Sequence, residues 1–498
     1  MGVILGEQTI GKKAVTATKW SLLTQIASKI IQPITTLVLA HILTPDLFGV
    51  IALVTMVTSF ANMFSDAGFQ KYLVQHEFKT DADLHDYANV AFWTNLAVSF
   101  LLWFLIGLFR DGLAALLGDT TIGWAITVAS SVLPLTAAIS VQTALYQRAL
   151  SFKVLFSSRF GSSLLTLVVA VPLALAGFGY WSMIVATIAS NALLAVWLTI
   201  ESNWKPTFSY SFRYLKRMFS FSAWTLLEAF TIWLAGWAGS FILGNVLDAY
   251  YLGLYRTTVS LVSAATGLIS SAVTPVIFAT LSRMQGDRAQ FDRAYFKMQS
   301  YLAMFVVPIA FALFVFRESI VLVFLGDQWV EASTFLGLYG MESAFSVVIG
   351  YMASEAYRSL GKPRLSVAVQ LAYLAATVPC MFFSAKAGFD VFSIALPLVT
   401  LFSYSGSHLI ACKTRLSLSI TETFKVLLPY LVICVLDSFV CNLLVVLIPF
   451  IPAHFLVIPL YCLLYLALLV SRREQRDTLI DVANRFGLAR FLPHFLLK

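Results

Sequence analysis

Charge is what this sequence has least of. Asp, Glu, Lys and Arg make up 12% of its 498 residues, against about 25% in an ordinary soluble domain. A globule of this composition would have no polar coat, which speaks against soluble folding. Cysteine is sparse: Cys380, Cys412, Cys434, Cys441 and Cys462. Their number is odd, most fall in apolar stretches and no pair has metal-ligand spacing, so a disulfide framework or metal site is not expected. The six histidines form no HExxH motif, and no Ser–His–Asp or Cys–His set can be argued. The chain also has no GxxxxGK[ST] run, and hence no nucleotide-driven engine of its own. No cofactor and no enzymatic chemistry are expected. The beginning does not read as a signal peptide. Gly11-Lys12-Lys13 precedes a long apolar stretch with no small-residue cleavage site, so that stretch is expected to be the first spanning helix.

What the sequence has in abundance is apolar length. It is 59% hydrophobic with a mean hydropathy of +0.84. Uncharged runs such as Leu164 to Ala176 and Phe455 to Val470 recur. A spanning helix needs roughly 20 mostly apolar residues. About fourteen such spans can be placed, near 15–40, 47–66, 87–109, 122–142, 156–176, 180–200, 218–244, 250–280, 297–316, 331–356, 365–385, 391–411, 425–447 and 454–471. The expected fold is all-α and integral to the membrane. Residues 1–204 form an N-terminal six-helix lobe and 205–415 a C-terminal six-helix lobe. Residues 416–498 hold two extra helices and a cytoplasmic tail.

The loops between these spans can be scored for Lys and Arg. One alternating set holds 26 of the 33, the other only Arg110, Arg317 and Lys386, and Lys19, Lys29, Arg159 and Arg256 lie within spans. Such a bias places both termini in the cytoplasm. The net charge of +8 is therefore a topological signal and needs no nucleic acid to explain it. The outer loops are short, the longest near 110–121 and 317–330, so no soluble domain is appended outside.

The two halves resemble each other. Trp20 stands 29 positions before Gly49 of Leu43-Thr44-Pro45-Asp46-Leu47-Phe48-Gly49, and Trp224 stands 29 before Gly253. Ala176-Gly177-Phe178 is matched by Ala387-Gly388-Phe389, and Tyr146 and Tyr357 each precede those alanines by 30 positions. A near-constant offset points to duplication, the alternative being chance recurrence of short Gly and aromatic loop motifs. With an even number of helices per half, the repeats share one orientation and the substrate site is expected between them.

An early Trp, then Leu39-Ala40-His41-Ile42-Leu43-Thr44-Pro45-Asp46-Leu47-Phe48-Gly49 and Phe64-Ser65-Asp66-Ala67-Gly68-Phe69, resembles the polysaccharide transporter family, the Wzx-type flippases. Tyr146-Gln147-Arg148 with Phe152, Gly179-Tyr180-Trp181-Ser182 and Gly361-Lys362-Pro363 fit the same pattern, closest to the WzxC branch. The likeness extends over nearly the whole chain and is strongest in residues 15–200. It implies the MOP superfamily, with the lipid II flippase MurJ and the MATE drug exporters: two lobes around a central cavity, with alternating access. It also implies the cargo, an undecaprenyl-diphosphate oligosaccharide moved across the inner (plasma) membrane for exopolysaccharide or lipopolysaccharide synthesis, alongside other polysaccharide assembly proteins. One departure is His41, where the family carries Arg; a permanent charge is replaced by a titratable one.

A diphosphate in such a cavity needs fixed positive charge, and charge within a span is rare enough to be a functional candidate by default. Ser21, Gln25, Ser28, Lys29, Gln32 and Thr36 share an arc of about 100° on the first span. Lys29 is the expected diphosphate ligand, with Gln25 and Gln32 beside it, the alternatives being an ion pair with Glu228 or snorkelling. Arg256 leads a small polar face on the eighth span through Ser260, Ser263, Gly267, Ser270, Ser271 and Thr274. Arg159 suits capture of the diphosphate at the inner leaflet or, alternatively, pairing with lipid phosphate. Glu228 and Glu342 are expected to balance these cations or to bind a coupling H⁺ or Na⁺. Asp437 has no assigned role and Asp66 reads as a helix-end charge. A MATE-like cation-coupled drug exporter is the main alternative and should show a mainly acidic cavity. A membrane polysaccharide polymerase would need a larger outer loop.

Overall fold

The computed structural model describes residues 31–66, 69–78, 80–362, 364–447 and 457–485, without the side chains of 65–66, 219–228 and a few other helix positions. It is helical throughout, with no strand among the described residues. The first half runs α1 (Ile31–Ala40), α2 (Pro45–Asp66), α3 (Phe69–Gln75), α4 (Asp81–Leu108), α5 (Arg110–Leu116), α6 (Gly123–Ala129), α7 (Val132–Arg148), α8 (Phe152–Leu175), α9 (Trp181–Glu201) and α10 (Phe212–Val246). The second runs α11 (Ala249–Arg283), α12 (Arg288–Val315), α13 (Arg317–Phe324), α14 (Ser333–Phe345), α15 (Met352–Ser359), α16 (Arg364–Lys386), α17 (Phe389–Thr400), α18 (Gly406–Leu416), α19 (Ile420–Leu447), α20 (Val457–Ser471) and α21 (Arg473–Arg485).

Eleven helical stretches among the described residues are long and apolar enough to cross a membrane, and each overlaps one of the fourteen spans expected from hydropathy. The other three positions hold the short α1, the 35-residue α11 and the 15-residue α20. Two crossings are not simple helices. π-helical turns at Ser346–Tyr351 and Leu401–Ser405 join α14 to α15 and α17 to α18. A π turn shifts the hydrogen-bond register, and the Gln299 side chain donates to the Val348 carbonyl inside the first of them at 3.1 Å.

The local sequence explains the helix ends. Pro45 opens α2 at the first helical position, where its missing N–H costs nothing, and Asp46 follows in the positively polarised first turn. Thr80 caps α4 by accepting from the Asp83 N–H, and Asp287 caps α12 by accepting from the Gln290 N–H.

Backbone contacts group the chain into two units, residues 1–256 and 257–498. The core of the first packs Phe69 and Leu73 of α3 against Tyr87 and Ala88 of α4 and Val141 and Ala144 of α7. The core of the second centres on Tyr295, Leu302, Met352, Tyr357 and Leu427, with Leu469 and Val482 closing it from α20 and α21. Lipid tails are as apolar as these side chains, so close packing rather than escape from water holds such helices together.

The residues paired by the expected repeat have structural roles. A Cβ on Gly49 would lie 1.8 Å from the Ala249 carbonyl oxygen, and a Cβ on Gly253 would lie 1.9 Å from the Pro45 carbonyl oxygen. Each glycine thus receives the backbone one turn ahead of the other, and α2 and α11 cross at a reciprocal contact that no side chain could enter. The paired tyrosines do equivalent work as well. The Tyr146 hydroxyl donates to the Leu198 carbonyl at 3.2 Å, and that of Tyr357 lies 3.4 Å from the His408 carbonyl and 3.2 Å from its Nδ1.

Candidate functional site

The first unit contains a cavity of about 320 Å³ between α2, α3, α7 and α8. Its wall mixes Ala137 and Ile139 with the polar Asn62, Gln70, Thr136, Ser140, Thr143 and Arg159. Asn62 of α2 and Gln70 of α3 share this space with Thr136, Ser140 and Thr143 of α7 and Arg159 of α8.

Three consecutive residues at the end of α7 hold this arrangement. Tyr146 ties α7 to α9. Gln147 accepts from Gln70 at 3.4 Å. The Arg148 guanidinium donates to the carbonyls of Leu73 at 3.1 Å and His76 at 2.6 Å, capping the orphan carbonyls at the end of α3. The Tyr-Gln-Arg motif is thus the brace of the cavity and not its ligand.

Within the cavity the Thr136 hydroxyl donates to Asn62 Oδ1 at 2.8 Å. Thr143 Oγ1 is buried and has no hydrogen-bond partner among the described residues. Arg159 is half-buried and forms no ion pair with a described carboxylate. A cation on a polar wall without a resident counter-ion can take an anion such as a phosphate through charge-assisted hydrogen bonds.

The other expected site residues lie elsewhere. Arg256 does not line this cavity. Its guanidinium sits 3.9 Å over the Trp237 ring and donates to the Gly236 carbonyl at 3.2 Å. Gln32 is exposed on α1. Lys29 and Gln25 lie outside the described residues, and Glu228 falls on α10 at a position whose side chain is not described. Glu342 belongs to the second unit, is 4% exposed, and accepts from the Ser346 hydroxyl at the mouth of the first π turn. Asn62, Gln70, Thr136 and Thr143 are missing from the sequence-derived site. A search for charge in spans passes over uncharged polar residues, and Gln70 falls just past the end of the expected second span. The usable signal was Phe69-Gln70-Lys71-Tyr72-Leu73, whose Phe69, Tyr72 and Leu73 lie on one helical face and are buried.

A family model described as polysaccharide biosynthesis protein matches residues 38–334. The chain belongs to this family. The succinoglycan biosynthesis transport protein ExoT of Rhizobium meliloti (strain 1021) is 27% identical to it over 334 residues, 67% of each chain. The teichuronic acid biosynthesis protein TuaB of Bacillus subtilis (strain 168) is 23% identical over 345 residues, covering 68% of this chain and 70% of that one. Among solved structures, the lipid II flippase MurJ in an inward closed conformation superposes with a TM-score of 0.73 at 13% identity, covering 91% of this chain and 98% of MurJ. An inward-facing MATE multidrug transporter of the MOP superfamily gives 0.62, covering 80% of this chain and 98% of that one. The fold is that of these transporters, and the protein is a multi-pass helical membrane protein.

Proposed function

We propose that this chain flips an undecaprenyl-diphosphate-linked oligosaccharide from the cytoplasmic to the periplasmic leaflet of the inner membrane by alternating access. The observation that carries the reading is the Arg159 cavity in a member of a polysaccharide biosynthesis family. The loop bias of 26 against 3 orients the chain with both termini in the cytoplasm. In that orientation α8 enters from the cytoplasmic side, so Arg159 stands in the inner half of the membrane, where the diphosphate is presented. The Gly49–Gly253 crossing then lies at the outer ends of α2 and α11. Lys29, Gln25, Gln32 and Arg256 extend the polar path for the headgroup and sugars. Glu228 and Glu342 balance these cations or bind a coupling H⁺ or Na⁺. Residues 1–204 and 205–415 act as the two repeats, residues 416–498 as the appended pair with its tail, and the flippase works beside other polysaccharide assembly proteins.

The test is flipping of a fluorescent lipid-linked oligosaccharide in proteoliposomes. Arg159→Ala should slow it markedly with membrane protein level unchanged, and normal flipping by that variant would overturn the reading. Cysteines introduced at Gly112 and Asp327 should label from outside, and at Ser209 and Gln290 only after permeabilisation. The reverse pattern would invert the orientation.

A further inference from the structure

A second polar cleft, of about 460 Å³, lies in the second unit where the N-terminal halves of α12 and α19 meet α21. Its floor is apolar, formed by Phe296, Val426 and Pro429. Its rim carries Lys297, Lys425, Glu422 and Glu474. The cleft therefore straddles the boundary between the spanning segments and the basic-rich loops, the level at which a phospholipid places its headgroup.

The charges on the rim cancel. Lys425 Nζ is 2.6 Å from Glu422, and Lys297 Nζ is 2.7 Å from Asp481 of α21. A ligand with net negative charge would meet lysines already matched by carboxylates. Two polar groups in the wall stay open. Glu474 forms no ion pair with any described residue. Gln475 is only 7% exposed, lines the cleft and has no hydrogen-bond partner among the described residues. The Gln475 amide brings two donors and one acceptor to the cleft, which suits a ligand with both functions.

We propose that this cleft binds a zwitterionic phospholipid headgroup that carries a phosphate beside a primary ammonium, as phosphatidylethanolamine does. The phosphate lies between Lys297 and Lys425 and accepts from the Gln475 amide. The ammonium donates to Glu474 and the Gln475 oxygen. A choline headgroup has no N–H to donate and cannot satisfy either acceptor. The apolar floor receives the start of an acyl chain. The bound lipid links α21 to α12 and α19, and this role does not depend on which cargo the protein moves.

The experiment uses the full chain purified in detergent and stripped of lipid, with melting temperature and native mass spectrometry as readouts. Phosphatidylethanolamine should stabilise the protein and remain bound more tightly than phosphatidylcholine or phosphatidylglycerol. Glu474→Gln, a near-isosteric change at an exposed position, should weaken that binding about tenfold and remove the preference over phosphatidylcholine. Lys425→Gln should weaken phosphatidylethanolamine and phosphatidylcholine alike. Gln475→Leu, which keeps the packing volume, should reproduce the Glu474→Gln loss in a protein that melts cooperatively. Equal binding of the three lipids, or an unchanged preference in both Glu474→Gln and Gln475→Leu, would overturn the proposal. So would competition by inorganic phosphate as effective as by soluble phosphoethanolamine, because that assigns the cleft to a free anion.

Discussion

In the first unit Tyr146 reaches the Leu198 carbonyl, and the helices it braces leave a polar cavity with Arg159 in its wall. In the second unit the matching Tyr357 reaches His408, but the polar side chains around it are sealed between helices. His408 is 2% exposed, stacks on Tyr357 and meets the edge of Tyr404. Glu355 is buried and paired with Arg358 at 2.9 Å, and the Tyr404 ring fills the space that a side chain at Gly350 would need. Two tyrosines in similar sequence settings thus make similar hydrogen bonds and differ in what surrounds them. In the second unit, π turns at Ser346–Tyr351 and Leu401–Ser405 accommodate extra backbone beside this sealed seam. A ligand-ready polar group differs from a structural one in having room and an unfilled valence, even when the residue types are alike.

The contrast is broken most directly at Arg159. Arg159→Ala should reduce flipping by about 10- to 100-fold, the worth of one charge-assisted contact. Arg159→Lys should recover part of it, because a phosphate accepts either cation with different geometry. Arg358→Gln, by contrast, should act on stability, since it leaves Glu355 buried without its partner. Flipping rate and melting temperature measured on both variants separate the roles, and a purely thermal effect of Arg159→Ala would remove the distinction.

Next in size is the reciprocal glycine crossing. Gly49→Ala and Gly253→Ala each place a methyl inside the distance of a backbone carbonyl that cannot rotate away. Each should destabilise the protein by about 3 kcal/mol or more. Gly236→Ala, with nothing within 4 Å of the added methyl, is the control. Thermal denaturation in detergent reads the difference, and similar melting temperatures for all three would show that the crossing relaxes freely.

A smaller effect is expected at the paired tyrosines. Tyr146→Phe loses one hydrogen bond to a backbone carbonyl, about 1 kcal/mol. Tyr357→Phe also strands the His408 Nδ1 in a sealed seam, so its loss should exceed that of Tyr146→Phe. Equal losses would show that the two surroundings are energetically alike.

The smallest effect is at the helix caps. Asp287 sits outside the spans, and its carboxyl is held below the ordinary carboxylate range, first by the Gln290 backbone N–H that it accepts. A depressed folded pKa contributes stability that is present above the unfolded value, about pH 4. That contribution is lost as pH falls through the folded value. The start of α12 should therefore loosen in acid, while the start of α4, capped by the uncharged Thr80, should not. Amide exchange at Gln290 and Asp83 against pH checks this, and Asp287→Asn should remove the pH dependence at Gln290.

Apolar length and the distribution of Lys and Arg are properties of the chain in one dimension. The sequence by itself therefore determined the helical membrane class and the approximate position of the eleven spans seen among the described residues, and it singled out Gly49, Gly253, Tyr146 and Tyr357. It also marked Arg159 as a costly charge in a span. Only the tertiary structure decided what surrounds each of these residues. The Arg159 cavity needs α2, α3, α7 and α8 to converge, and residues as far apart as Asn62 and Arg159 share it with no pattern in sequence to link them. Arg256 carries the same charge and the same intramembrane signal, yet packing gave it Trp237 and a backbone carbonyl instead. Hydropathy measures how badly a segment fits water. Whether a polar side chain then meets an empty space, a ring or a carbonyl depends on which neighbouring helix fills the volume in front of it.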